Sequence, residues 1–111
     1  MPITPERARV VAALRFRALG DETRLRLLEI LSPGERAVAD LMAETALGQS
    51  LVSHHLRTLR RAGLVTTRRE GRWMYYAINQ AALANMKLAL YELEPLKPER
   101  PQSMASAKPG T

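Results

Sequence analysis

The stretch QSLVSHHLRTLRRAGLVTTRREGRWMYY, Gln49 to Tyr76, decides how the rest of the chain is read. Placed at 100° per residue, its first half puts Val52, Leu56 and Leu59 on one side of a helix. Ser50, His54, Arg57 and Arg61 gather on the opposite side, flanked by Ser53 and Arg60. The narrow apolar stripe must face a core, and the outer face offers hydroxyl, imidazole and guanidinium groups. Gly63 stops the helix, because glycine adopts the left-handed C′ conformation without a Cβ penalty. Two runs rich in Val, Thr, Trp, Tyr and Ile follow, Leu64–Arg68 and Arg72–Ile78, and both favour strands. Gly71 at the tip between them supports a hairpin. The whole stretch carries six Arg against one Glu and no Lys. A polar, Arg-rich helix beside an Arg-rich hairpin is a layout suited to reading DNA.

Upstream of it, residues 1–4 read as a frayed start. A helix follows over Pro5–Leu19, with Val10, Val11, Leu14 and Ala18 at three- and four-residue steps and Arg7, Arg9, Arg15 and Arg17 interleaved. Gly20 breaks it and Asp21 suits the N-cap of a second helix, Glu22–Leu31, whose apolar face is read as Leu25, Leu28, Ile30 and Leu31. Ser32-Pro33-Gly34 is turn chemistry. Glu35–Ala37 reads as a short strand or a simple lead-in. A third helix, Val38–Thr45, precedes a break at Ala46-Leu47-Gly48 and a fourth helix, Gln49–Ala62. A short glycine-containing turn between two such helices is the helix-turn-helix connection. Asn79 caps a fifth helix, Gln80–Leu93, in which Leu83, Met86, Leu90 and Leu93 step 3-4-3, the spacing of a helix-on-helix seam. Beyond Glu94 the sequence EPLKPERPQSMASAKPGT offers prolines and small polar residues with nothing to pack, so residues 95–111 are expected to form a disordered tail.

The fold expected is mainly α with a small β-hairpin: a winged helix-turn-helix in one domain, residues 5–94. Its 111 residues allow one core. Such a core has little to spare for the first and fifth helices. Their stripes, Val10, Val11 and Leu14 with Leu83, Met86, Leu90 and Leu93, are expected to meet a second copy of the chain; folding back onto their own core is the other reading.

A net charge of +6 and a pI near 10.5 point to a polyanionic partner. Without cysteine there are no disulfides, thiolate metal sites or cysteine nucleophiles. No phosphate-binding glycine loop or Ser–His–Asp spacing is present, so an enzyme is not expected. No run approaches the ~18 apolar residues of a membrane span, and the chain reads as cytoplasmic with no membrane partner. Duplex DNA is the partner expected. Gln49, Ser50, Ser53 and His54 are positioned to reach base edges, Arg57 and Arg61 to meet guanine or phosphate, and Arg68, Arg69 and Arg72 of the hairpin to hold phosphates from a flexible tip. A winged helix that binds RNA or another protein is the alternative, although a protein-binding face would be more apolar than this one.

Three blocks resemble the ArsR/SmtB family of bacterial winged-helix repressors: ALGDETRLRLLEIL (18–31), SLVSHHLRTLRRAGLV (50–65) and REGRWMYYAI (69–78). The resemblance implies a repressor; the imperfect palindrome is expected from the dimer itself, since a doubled helix-turn-helix module meets two half-sites. Many members sense metals through two cysteines in a run of the form E-L-C-V-C-D-L, which aligns here with Glu35-Arg36-Ala37-Val38-Ala39-Asp40-Leu41. Both cysteine positions are alanine, and a methyl group coordinates nothing. A second common site takes Asp and His from the last helix, where this chain offers only Glu92. No metal-site residue is therefore assigned and no cofactor is evident, although nickel or zinc on nitrogen and oxygen donors stays open. Adjacent on a helix, His54 and His55 point about 100° apart and cannot chelate one ion together. Asp21, Glu22, Glu29, Asp40 and Glu44 show no recognisable ligand spacing. His54 is read as a solvent- or phosphate-facing side chain and His55 as a packed structural one. Nickel or zinc, an organic ligand, a partner protein or no effector at all are each compatible with these residues.

Overall fold

Thr4 starts the first helix: its Oγ1 accepts a hydrogen bond from the Arg7 amide at 3.1 Å, and Pro5 takes the first helical position, where a missing N–H costs nothing. A computed structural model describes residues 3–95. Thr4 is therefore a cap and not part of a frayed start; Met1 and Pro2 lie outside the described residues, as does the expected tail beyond residue 95. The elements run α1 Pro5–Leu19, α2 Glu22–Leu31, β1 Arg36–Ala37, α3 Val38–Thr45, α4 Gln49–Arg61, β2 Val65–Glu70, β3 Trp73–Ile78 and α5 Gln80–Tyr91. This is the expected winged helix-turn-helix order, with the short strand β1 present. The last helix ends at Tyr91, two residues sooner than its apolar spacing suggested.

The three strands form one antiparallel sheet in the order β1-β3-β2. Pairing of β2 with β3 runs from Val65↔Ile78 to Glu70↔Trp73, which leaves Gly71-Arg72 as a two-residue loop. Gly71 has φ of 61°, the positive value that tight hairpin turns require. Arg68 and Arg69 therefore stand in β2 and only Arg72 in the tip, where a looser tip holding all three was expected. The physical reason is that a two-residue turn lets the ladder continue to its last pair.

Leu27, Leu31, Leu41, Val52, Leu56, Leu59 and Leu64 are the fully buried centre. They bring α2, α3 and α4 together over the root of the hairpin. One reading of α2 is corrected here: Leu25 is 46% exposed and Leu27 0%. The inward arc is centred on Leu27, Leu28 and Leu31, and Leu25 lies about 120° from its middle. Each fully buried leucine of this kind contributes roughly 1.5–3 kcal/mol.

The outer helices α1 and α5 lie side by side. Met86 is 4% exposed and belongs to the chain's own core, and Leu83 packs partly against it. Both were expected at an interface between copies; the α5 stripe instead turns one edge inward. Val10 at 68%, Leu14, Leu90 and Leu93 at 77% remain exposed, and Val11 is half-buried. Asn79 joins the hairpin to α5, its Oδ1 accepting from the Ala82 amide at 3.4 Å while its Nδ2 donates to the Gly63 carbonyl at 2.9 Å.

Candidate nucleic-acid interface

Helix α4 is held at both ends by backbone chemistry. At its start α3 ends in a left-handed residue, Ala46 with φ of 60°, whose amide donates to the Met42 carbonyl at 2.8 Å. Thr45 is buried because its hydroxyl turns back onto the Leu41 carbonyl at 2.7 Å and accepts from the Leu47 amide at 3.3 Å. The chain then turns at Gly48 into α4. At its far end Gly63 N donates to Arg60 O and Leu64 N to Leu59 O, both at 2.9 Å, the paired bonds of a Schellman motif. Gly63 has φ of 77°, and a Cβ there would stand 3.0 Å from Arg15 Nη2. Arg15 Nε donates to the Ala62 carbonyl at 2.9 Å, satisfying one of the last carbonyls of the helix end.

Between these ends α4 buries Val52, His55, Leu56 and Leu59 and exposes Gln49, Ser50, His54, Arg57, Arg60 and Arg61, with Ser53 half-buried. The expected inward and outward faces are thus both present. Arg69 on β2 and Arg72 in the turn are exposed as well, on the hairpin that follows α4 and packs against it through β2.

Partners divide the arginines into two groups. Arg15, Arg24, Arg26, Arg36 and Arg68 each hold a protein oxygen. Arg57, Arg60, Arg61, Arg69 and Arg72 make no side-chain hydrogen bond or ion pair among the described residues. Outside α4 and the β2–β3 hairpin, which forms the wing of the fold, the uncommitted arginines among the described residues, Arg7, Arg9 and Arg17, all lie on α1. Arg60, noted in the sequence only as a flank, belongs with the uncommitted group on α4.

Arg68 is the expectation that changes most. Its Nη2 and Nε donate to Glu35 at 2.6 and 3.2 Å and its Nη1 to Glu70 at 2.9 Å. Its guanidinium also lies 4.7 Å from the centre of the Tyr75 ring, a cation–π distance. These bonds push the Arg68 pKa up and hold the Glu35 carboxyl below the usual carboxylate range. Arg68 therefore fastens β2 to the loop before β1 and has no free donor edge comparable with Arg69 or Arg72. The signal in the sequence was Glu70 two residues away; Glu35 is 33 residues distant.

His55 is packed and hydrogen-bonded, as read. Its Nδ1 is 3.2 Å from Arg24 Nη1 and 3.8 Å from Asp21 Oδ2. His54 stays exposed beside it, with ring centres 5.1 Å apart and edge-on. Among the described residues no three His, Asp or Glu side chains come together as a metal-holding group. Ala37, one of the two positions that carry thiolates in the metal-sensing pattern, is buried and paired with Tyr75 of β3. Among the same residues no helix is long and apolar enough to cross a membrane.

Comparison with known proteins agrees with this geometry. The profile of bacterial regulatory proteins of the arsR family matches residues 21–67, which span α2, α3, α4 and the start of the hairpin. A transcriptional repressor SmtB homolog of Synechocystis is 44% identical over 71 residues, 64% of this chain and 54% of that protein. The transcriptional activator HlyU of Vibrio cholerae is 35% identical over 82 residues, 74% of this chain and 76% of that protein. A homodimeric winged helix-turn-helix DNA-binding domain from Mycobacterium bovis superposes with a TM-score of 0.67 at 31% identity, over 79% of this chain and 84% of that one. With α2, α3, α4 and the start of the hairpin matched in order, and a winged helix-turn-helix domain superposed over most of the chain, the chain is a winged helix-turn-helix transcription regulator, not an enzyme, and belongs to the ArsR family of bacterial regulatory proteins.

Proposed function

We propose that two copies of this chain bind an imperfect palindrome in duplex DNA and repress transcription from it in the cytoplasm. One observation supports this most: among the described residues, the arginines without a protein partner lie on the outer face of α4 and on the wing beside it, apart from those on α1. An unpaired guanidinium on a solvated face is what a phosphate or a guanine edge uses. The first turns of α4 enter the major groove, where Gln49, Ser50, Ser53 and His54 meet base edges. Arg57, Arg60 and Arg61 follow along the groove wall, and Arg69 and Arg72 of the wing hold phosphate. The two copies join through the exposed apolar residues of α1 and α5, namely Val10, Leu14, Leu90 and Leu93, with Val11 and Leu83 at the margin. Repression follows if the dimer covers a promoter, and it is also what the likeness to the SmtB homolog suggests.

Sedimentation equilibrium of the wild-type chain and of Leu14→Glu and Leu90→Glu variants tests the assembly. The wild type is expected as a dimer and both variants as folded monomers. A wild type that stays monomeric at high concentration contradicts the proposal. Titration of the same protein with duplex DNA and duplex RNA at two salt concentrations separates DNA binding from RNA binding.

A further inference from the structure

The apolar grip on α4 fixes which face points inward and sets the angle less finely. Val52, Leu56 and Leu59 are fully buried against the core, but burial is proportional to area and restrains a small turn about the axis less sharply than a directional bond does. A directional restraint comes from hydrogen bonds. Within the span of α4, the one side chain that bonds outside its own helix among the described residues is His55. Its partner Arg24 is itself anchored. Arg24 Nε donates to the Ala18 carbonyl in the last turn of α1 at 2.6 Å, and the Arg24 amide donates to Asp21 Oδ2 at 3.0 Å in the cap of α2. His55 thus lies against a fixed point made from the α1–α2 corner, one residue from His54 and two from Ser53.

Arginine only donates, so the Nδ1 that faces Arg24 Nη1 is the unprotonated nitrogen, and the neutral ring carries its proton on Nε2. A rotation of about 20° would carry a tip at ~6 Å from the helix axis through about 2 Å, enough to break a base contact. We propose that Arg24 and His55 are positioning residues for base reading: Arg24, braced on the end of α1, sets through the His55 ring the angle at which Ser50, Ser53, His54 and Arg57 meet a duplex. This rests on the DNA-binding reading above.

The same arrangement makes the angle sensitive to acid. The charged groups that face His55 are Asp21 and Arg24 from the α2 end and His54 from its own helix. A proton on Nδ1 would set donor against donor toward Arg24. The nearest acceptor would then be Asp21 Oδ2 at 3.8 Å, already engaged in capping α2. Protonation therefore trades the Arg24 bond for a pull on the cap. Burial of the ring opposes that charge until the solution is acidic.

The test begins with a duplex that the wild-type protein selects from a randomised pool, compared with a scrambled duplex at fixed salt. At about pH 8, Arg24→Met and His55→Leu are each expected to lower the ratio of the two affinities about tenfold, with binding to the scrambled duplex within about twofold because the phosphate-holding arginines remain. His55→Asn places an amide oxygen near the former Nδ1 and cannot be protonated. It is expected to keep the ratio within about threefold and to hold it as the pH falls to about 5.5, where the wild-type ratio declines. His55→Asn keeps His54, so any effect of that neighbouring ring is common to both proteins and the difference between them reports on His55. Thermal melting of each variant identifies any that is unfolded, and His55→Asn carries the test if Arg24→Met is. Ratios within about twofold of wild type for Arg24→Met and His55→Leu, or an acid decline in His55→Asn equal to that of wild type, overturn the inference alone. A wild-type protein that selects no duplex overturns the DNA-binding reading and this inference with it.

Discussion

Arg68 Nη2 lies 2.6 Å from Glu35 Oε1, joining the wing to the loop ahead of β1. Because the guanidinium is already neutralised there and by Glu70, Arg68 has little to offer a phosphate. We therefore expect Arg68→Ala to leave the salt dependence of DNA binding nearly unchanged, while Arg72→Ala flattens the log–log slope by about 0.9 per protomer, or about 1.8 for the dimer. Glu35→Gln, which removes the negative partner, is expected to free Arg68 and to steepen the slope. Equal flattening by Arg68→Ala and Arg72→Ala, in affinities measured across a salt series, would show that Arg68 does hold DNA.

The reading face and the wing have different work to do. Gln49→Ala and Ser53→Ala are expected to reduce discrimination between a selected and a mismatched duplex by about 1–3 kcal/mol. Arg69→Ala is expected to weaken both alike. Competition binding with a panel of single-mismatch duplexes separates these outcomes. Identical behaviour of the two sets would contradict the division between base reading and backbone holding.

Position within α2 decides stability more than residue type does. Leu27→Ala removes a fully buried side chain and should cost roughly 2–5 kcal/mol. Leu25→Ala touches an exposed one, with an effect within about 0.5 kcal/mol. Urea unfolding of both variants gives the comparison directly, and a larger loss at Leu25 would place the wrong edge of α2 in the core.

Acid should weaken the fold in two separate windows. Burial chiefly lowers the His55 pKa below the ordinary 6.5, Arg24 and His54 add to this, and Asp21 opposes it. The folded state thus prefers the neutral ring. Its contribution is complete above pH 6.5 and is lost as the pH falls through the lowered folded value. Asp21 is lowered below 3.8, mainly by the hydrogen bond from the Arg24 amide. Its contribution is present above 3.8 and is lost only as the pH falls further. Melting temperature against pH should show the first decline in wild type and not in His55→Asn. A wild-type curve that is flat from about pH 7 to pH 5 would contradict the account of His55.

Much of this was legible in the sequence, and the exceptions have a common cause. Periodicity and punctuation located every helix, because Gly20, Asp21, Ser32-Pro33-Gly34, Gly48, Gly63 and Asn79 act over a few residues. The outer face of α4 was also local information, since one helix carries it. What escaped were relations between distant positions. Leu25 and Leu27 fit an apolar face almost equally well until the rest of the core chooses between them. Met86 fits a dimer seam and a monomer core by the same spacing. Glu35 cannot be seen to neutralise Arg68, nor Arg24 to brace His55, until the chain has brought them together. Three local features were missed as well: the Thr4 hydroxyl directly before Pro5 at a helix start, the tight Gly71-Arg72 turn and the end of α5 at Tyr91.

Footprinting by hydroxyl radicals on a duplex selected by the wild-type protein tests the central claim most directly. Two protected segments related by a two-fold axis, with centres about one helical turn or ~34 Å apart, and both weakened by Arg57→Ala, are the result expected of a dimer that reads DNA through α4. A single unpaired segment, or a pattern unmoved by Arg57→Ala, would contradict it.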